Sequence, residues 1–327
     1  MKVLLIRFSS IGDLVLISPV IRCLRKTFPQ AQIHLLTGVS FADIFRANPY
    51  LDRIFWQQEP LPRLIQKLRA ERYDFIADLQ NNRTSWLIRR LLGRRQAAVH
   101  KLNLEKWLLV NFKINWLPVA HLVDRYLNVV RPLGVRNDGK GLDYFIPPDQ
   151  EIPVDRLPLT HLHGYAALAV GAAHATKKMP LAKLQQLVQR LPLPIVLLGG
   201  KEDELTGNLL QELAPLKVHH ACGRLTLHQS ASVIRQARVV ITPDTGLMHI
   251  AAAFRKRIIS VWGNTVPALG MFPYFGDEPP PAGSRIVERA GLSCRPCSKL
   301  GFSRCPKGHF RCMNDLDVDE IVRLAMA

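Results

Sequence analysis

Asp244-Thr245-Gly246, with His249 three residues further on, stands between an apolar run at Val239–Pro243 and a second apolar run that continues to Ala253. A strand entering a helix through a polar turn suits a phosphate, because the first helical turn carries unpaired N–H groups and the positive end of the helix dipole. Asp244 is positioned to cap that helix, Thr245 adds a hydroxyl, and Gly246 lets a ligand approach the backbone closely. His249 follows Thr245 by four residues and Gly246 by three, which sets it on the same helical face one turn in. Each residue also has a plain structural alternative: Asp244 as an ordinary N-cap, His249 as a core histidine with its own partner.

Three further blocks carry groups of complementary chemistry. Asp13 follows the apolar run 2–8 and Ser9-Ser10-Ile11-Gly12, at the start of a helix. A helix N-terminus favours the carboxylate, so Asp13 is a candidate base for a hydroxyl, with the N-cap as its alternative role. Ser9, Ser10 and Gly12 either meet an acceptor or shape the turn. Lys177-Lys178-Met179-Pro180 offers ammonium groups to a departing anion; two solvated lysines ahead of a Pro-initiated helix is the competing reading. Glu202 and Asp203 follow Gly199-Gly200 at a strand end, where an acidic residue can bind ribose hydroxyls.

These four blocks, in this order and spacing, resemble the ADP-heptose:lipopolysaccharide heptosyltransferases of glycosyltransferase family 9, over nearly the whole chain from Met1 to the cysteine-rich tail. The resemblance implies a GT-B fold and inverting, metal-independent transfer of heptose from ADP-heptose to the lipopolysaccharide inner core, with no cofactor required. Asp13 matches the family's proposed base. Lys177 would neutralise the leaving diphosphate, with Lys178 as its alternate, and Thr245, Gly246, His249 and Asp244 would complete the phosphate site. An Asp carboxylate aimed at a diphosphate would repel it, so Asp244 is assigned to capping and loop geometry. Met179 stands where the family usually has Trp, which weakens the expectation of a donor contact there.

The elements that must position these groups read as α/β throughout. The strand at 2–8 leads to a crossover helix over 14–26 and a second strand at 32–36, at βαβ spacing. Another strand lies at 73–79, and a helix over 121–133 ends at Gly134. Residues 137–164 are rich in Pro, Asp and Gly and read as a linker. A second series follows: strands at 165–170, Ile195–Leu198, 238–241 and Ile258–Trp262, a helix over Glu204–Leu213, and a closing amphipathic helix over 317–326. The expectation is two doubly wound, Rossmann-like domains, 1–155 for the acceptor and 156–327 for the nucleotide sugar, facing across a cleft.

Composition narrows the partners. The chain has 327 residues, 48% hydrophobic and 21% charged, as folded proteins do. Lys2 and Arg7 bracket too short an apolar stretch for a signal peptide, and no run approaches the roughly 18 residues needed to span a bilayer. The expected location is therefore cytoplasmic, with a peripheral site on the inner membrane as the extension. Net charge is +18. Residues 1–150 hold 23 Lys and Arg against 12 Asp and Glu, so the excess is larger there and a polyanion is expected to meet that half. An anionic lipid A-type acceptor fits, whereas no nucleic-acid recognition motif is present.

Two features remain outside this scheme. Cys294, Cys297, Cys305 and Cys312, with His309 nearby, have a spacing that admits a structural zinc in a reducing compartment, although packed reduced thiols explain them as well. The segments 86–95 and 106–109 mix Trp and Leu with Arg or Lys. Such segments can lie at an anionic lipid interface, but ordinary packing of amphipathic helices within a domain is the preferred reading. Two other functions stay open: a glycosyltransferase using a different nucleotide sugar, and a non-catalytic nucleotide-sugar or polyanion-binding protein on the same fold.

Overall fold

The computed structural model describes all residues from Met1 to Ala327 and divides into two compact units. Neither is a single run of chain. The first comprises Met1–Leu102, Ala120–Phe145 and Gly276–Glu278; the second comprises Asn103–Val119, Ile146–Phe275 and Pro279–Ala327.

The first unit is built on five parallel strands, β1 (Lys2–Ile6), β2 (Gln32–Gly38), β3 (Arg53–Gln57), β4 (Phe75–Asp78) and β5 (Gln96–Ala98), in the order β3-β2-β1-β4-β5. Val3, Leu4, Leu5 and Ile6 are wholly buried because a central parallel strand is covered on both faces. The expected helix over 14–26 is instead two helices, α1 (Ile11–Leu16) and α2 (Ser18–Thr27), separated at Ile17. Pro19 in the first turn of α2 explains the break: it has no N–H to continue a ladder from α1. Helices α3 (Leu61–Ala70) and α4 (Arg83–Leu92) cross between strands; α5 (Asn103–Phe112) belongs to the second unit, and α6 (Leu122–Val130) returns to the first.

The beginning of the expected linker is firmly packed. Arg22, nearly buried on α2, donates to both carboxylate oxygens of Asp138, pairs with Asp143 and reaches the Gly141 carbonyl at 2.8 Å. Removing one partner of such a buried network strands a charge, a loss of about 3–5 kcal/mol.

The second unit has six parallel strands, β6 (Ala166–Ala169), β7 (Ile195–Leu198), β8 (Val218–His220), β9 (Val239–Pro243), β10 (Ile258–Trp262) and β11 (Arg285–Glu288), in the order β11-β10-β9-β6-β7-β8. Its helices are α7 (Leu181–Arg190), α8 (Glu204–Leu213), α9 (Leu227–Gln236), α10 (Gly246–Ala253), α11 (Arg311–Asn314) and α12 (Val318–Met326). The closing helix α12 starts at Asp317, whose carboxylate accepts from Asp319 N at 2.9 Å and Glu320 N at 3.1 Å, and it buries Val318, Ile321 and Ala325 in this unit's core. No helix of the chain is long and apolar enough to cross a membrane.

Both sheets change direction at an interior strand. The chain moves from β1 to β2 on one side and later to β4 on the other, and from β6 to β7 and later to β9. Loops leaving the carboxyl ends at such a point diverge and leave room for a ligand. The loops after β1, β6 and β9 carry Asp13, Lys177 and Thr245.

Candidate functional site

In the first unit the loop after β1 delivers Asp13 to the third position of α1. Its Oδ2 accepts from Ser10 N at 3.2 Å and Ser10 Oγ at 3.0 Å, so Ser10 closes the helix start and steadies the carboxylate. Arg7 Nη2 lies 2.6 Å from the same oxygen, while Arg7 Nη1 donates to the Leu79 carbonyl at 2.7 Å. Tyr126, almost fully buried on α6, donates its hydroxyl to Asp13 Oδ1 at 3.0 Å. Burial alone would raise the Asp13 pKa. The Arg7 guanidinium and the hydrogen bonds from Ser10 and Tyr126 outweigh burial and hold it below the ordinary carboxylate value. Burial, followed by the Asp13 charge, pushes the Tyr126 phenol far up, so it remains a donor. Gly12 is buried under this turn, and Ser9 is half-buried beside it. Arg7 and Tyr126 were not among the sequence candidates; the 113 residues between Tyr126 and Asp13 hid that contact.

In the second unit Lys177 and Asp244 come together across 67 residues, with Lys177 Nζ 2.6 Å from Asp244 Oδ2. Thr265 Oγ1 donates to the same oxygen at 3.0 Å. This corrects the capping role expected of Asp244. The N-cap of α10 is Thr245, in an extended conformation, and no side chain caps that end. Asp244 instead fixes an ammonium group beside a helix start whose first-turn N–H groups have no intrahelical partner. Thr245 Oγ1 lies 3.3 Å from Thr242 Oγ1, and both Thr245 and Gly246 are partly exposed. His249 sits one turn further in and is buried.

The neighbouring loop is fixed in the same manner. Lys178 Nζ donates to Asp203 Oδ1 at 2.5 Å, and Gly200 N donates to Asp203 Oδ2 at 3.0 Å. A Cβ on Gly171 would lie 2.3 Å from the Asp203 carboxylate, so the glycine loop closes directly over it. Asp203 is thereby committed to loop closure, which leaves exposed Glu202 as the carboxylate of this pair open to a ligand. Met179 packs in the hydrophobic core, not toward a ligand.

The cysteine-rich tail reaches this site through Arg295, another residue that sequence reasoning missed. Its guanidinium donates to the carbonyls of Gly263 at 2.6 Å and Thr265 at 3.0 Å and pairs with Glu288 at 2.7 Å. It thus clamps the loop after β10 that presents Thr265 to Asp244. Cys294, Cys297, Cys305 and Cys312 are free thiols, and Cys294 Sγ lies 3.9 Å from His309 Nε2. Burial, then the other thiols, pushes Cys297 up, and burial pushes Cys312 up to about 11. No three His, Cys, Asp or Glu side chains are arranged to hold a metal ion.

Comparison with known proteins gives the family of the chain. Residues 61–287 match the family model described as glycosyltransferase family 9 (heptosyltransferase). The chain belongs to this family. As a family 9 enzyme it is 26% identical to lipopolysaccharide heptosyltransferase 1 of Pseudomonas aeruginosa, over 97% of this chain and 91% of that one. Its fold is GT-B, like that of its solved relatives. The E. coli ADP-heptose lps heptosyltransferase II superposes with a TM-score of 0.72 at 19% identity, covering 100% of this chain and 99% of that one. A family 9 glycosyltransferase from Veillonella parvula superposes with a TM-score of 0.77 at 18% identity, covering 99% and 96%.

Proposed function

We propose that this family 9 enzyme transfers heptose from ADP-heptose to a lipid-linked lipopolysaccharide core acceptor, with inversion at the anomeric carbon and no metal requirement. The observation that carries this reading is the pair of opposite functional charges: a carboxylate held ionised at Asp13 and an ammonium held at a helix start by Asp244. The choice of donor is supported by a relative of the same fold that is named for ADP-heptose.

In this mechanism the acceptor hydroxyl attacks the anomeric carbon as the bond from that carbon to the β-phosphate oxygen breaks. Its proton passes to Asp13. A carboxylate so well stabilised is a weak base, so the proton moves late, once the new C–O bond has made the hydroxyl acidic. The electron pair of the broken bond leaves with ADP, where Lys177 and the first-turn N–H groups of α10 meet the growing charge. Thr245 and Gly246 line that phosphate position, His249 supports the helix turn behind it, and Glu202 binds the ribose hydroxyls. Ser9 lies on the acceptor side. The protein works on the cytoplasmic side of a membrane that presents the acceptor.

The test is release of ADP from ADP-heptose with and without a heptose-deficient lipopolysaccharide acceptor, in EDTA. Acceptor-dependent release is expected. Release from UDP- or GDP-sugars instead, or none by a folded protein that binds ADP, would point to the other-donor or binding-protein alternatives.

A further inference from the structure

The preferred reading of segment 106–109, ordinary packing within a domain, holds for Leu109, which is buried, and fails for Trp107, which is exposed. Of the helix α5 and the chain that follows it to Val119, only Leu109 is buried. Leu104, Trp107, Phe112, Ile114, Trp116 and Val119 are all exposed, Trp116 at 68%. Trp107 and Phe112 form an edge-on pair, ring centroids 5.1 Å apart, on the outer surface. Six large apolar side chains exposed within sixteen consecutive residues make an apolar strip along the chain, well beyond the scattered exposed residues normal on a protein surface.

This strip is anchored to the cysteine-rich tail within the same unit. Lys113 Nζ donates to the Val110 carbonyl at 2.6 Å and the Pro296 carbonyl at 2.7 Å. From Arg289 to Arg311 the tail has six Lys and Arg residues and no Asp or Glu. Arg289, Lys299, Arg304 and Lys307 are exposed, as are Leu300 and Phe302. The segment 101–119 adds three lysines against the single Glu105. Apolar and aromatic side chains joined to a loop of exposed cations match the headgroup region of an anionic bilayer, where tryptophan rings settle at the interface and basic side chains meet lipid phosphates. Protein interfaces, by contrast, are depleted of lysine, and nucleic acid gives Leu104, Ile114 and Val119 nothing to enter.

We infer that the strip Asn103–Val119, together with the cationic tail loop 289–310, docks this enzyme on an anionic phospholipid surface. The inference deepens the proposed function by naming the face that meets the membrane, and it rests on the reading that the enzyme works at one. It also moves the polyanion contact to the second unit: within 289–310 only Arg295 has a carboxylate partner, Glu288, whereas Arg7, Arg22, Lys26 and Arg53 in the first unit are all paired.

The probe is a set of vesicles free of lipopolysaccharide, phosphatidylcholine with or without 30% phosphatidylglycerol, in co-sedimentation at low and physiological salt. Wild type is expected to bind the anionic vesicles and not the neutral ones. Trp107→Ala with Trp116→Ala should weaken binding by about tenfold or more, and Lys299→Gln, Arg304→Gln and Lys307→Gln together by about a hundredfold, each basic residue near the surface being worth ~1 kcal/mol. Both variants should keep wild-type ADP affinity. If wild type ignores anionic vesicles, the membrane reading itself fails. If wild type binds and both variants bind equally well, the reading survives and the assignment to this face is overturned. Loss of binding only in Trp86→Ala, on the separately exposed α4, would likewise overturn it.

Discussion

The two candidate sites are mirror images in charge. In the first unit a cation, Arg7, holds a carboxylate; in the second a carboxylate, Asp244, holds a cation. In each pair the more exposed member is the one proposed to act. Asp13 is 15% exposed against 11% for Arg7, and Lys177 is 15% exposed against 8% for Asp244. Each partner is itself tied down, Arg7 by the Leu79 carbonyl and Asp244 by Thr265. An ion pair by itself is thus neutral as to function. In the proposed roles, the base and the anion-binding group differ in which sign of charge is the more exposed member of its pair.

Removing the outward member should have the largest effect. Asp13→Asn should lower turnover by about 10²–10⁴-fold, the usual contribution of a positioned base, measured as acceptor-dependent ADP release. Turnover within tenfold of wild type would exclude the base role. Next, Lys177→Met should lower kcat by about 10²–10³-fold and weaken ADP, since it removes a positioned charge at the leaving group. Asp244→Asn leaves the ammonium in place but unanchored and should fall between wild type and Lys177→Met; an effect larger than that of Lys177→Met would mean that Asp244 itself meets the ligand.

Smaller effects test the anchors. Asp13 has its pKa lowered in the folded enzyme, so it stays ionised on the acid side until pH falls below the ordinary carboxylate value of about 3.9. Arg7→Met removes the main opposing charge and lets burial dominate, which raises that pKa. The acid limb of kcat/KM should move to higher pH, with activity near pH 8 reduced least. Tyr126→Phe removes one hydrogen bond and should move the limb the same way by less. A uniform loss at all pH values in both variants would mean that they support structure and not basicity. Arg295→Met should weaken ADP by up to about tenfold by loosening the loop that carries Thr265, read by calorimetry; unchanged ADP affinity would detach the tail from the site.

The buried strands were legible because a parallel strand covered on both faces must be an apolar run, as at Val3–Ile6, Ile195–Leu198 and Ile258–Trp262. The edge strands were not: β3 exposes Arg53 and Trp56, and β5 has only three residues. The helix break at Ile17 is signalled by Pro19, which a continuous apolar periodicity over 14–26 masks. Asp244 was misread as a cap because capping is a local rule, while its actual partners, Lys177 and Thr265, lie 67 and 21 residues away. Tyr126 and Arg295 were hidden for the same reason, 113 and 30 residues from Asp13 and Thr265, whereas Arg7, close to Asp13 in sequence, reads as part of the apolar strand. Motifs pointed to the residues proposed to act, and the fold added Arg7, Tyr126, Thr265 and Arg295 behind them.

The most direct test of this division of roles is to measure ADP affinity and acceptor-dependent ADP release side by side in Asp13→Asn and Lys177→Met. The account predicts that Asp13→Asn binds ADP as wild type does while turnover collapses, and that Lys177→Met loses both. Weakened ADP binding in Asp13→Asn, or wild-type ADP binding in Lys177→Met, would contradict it.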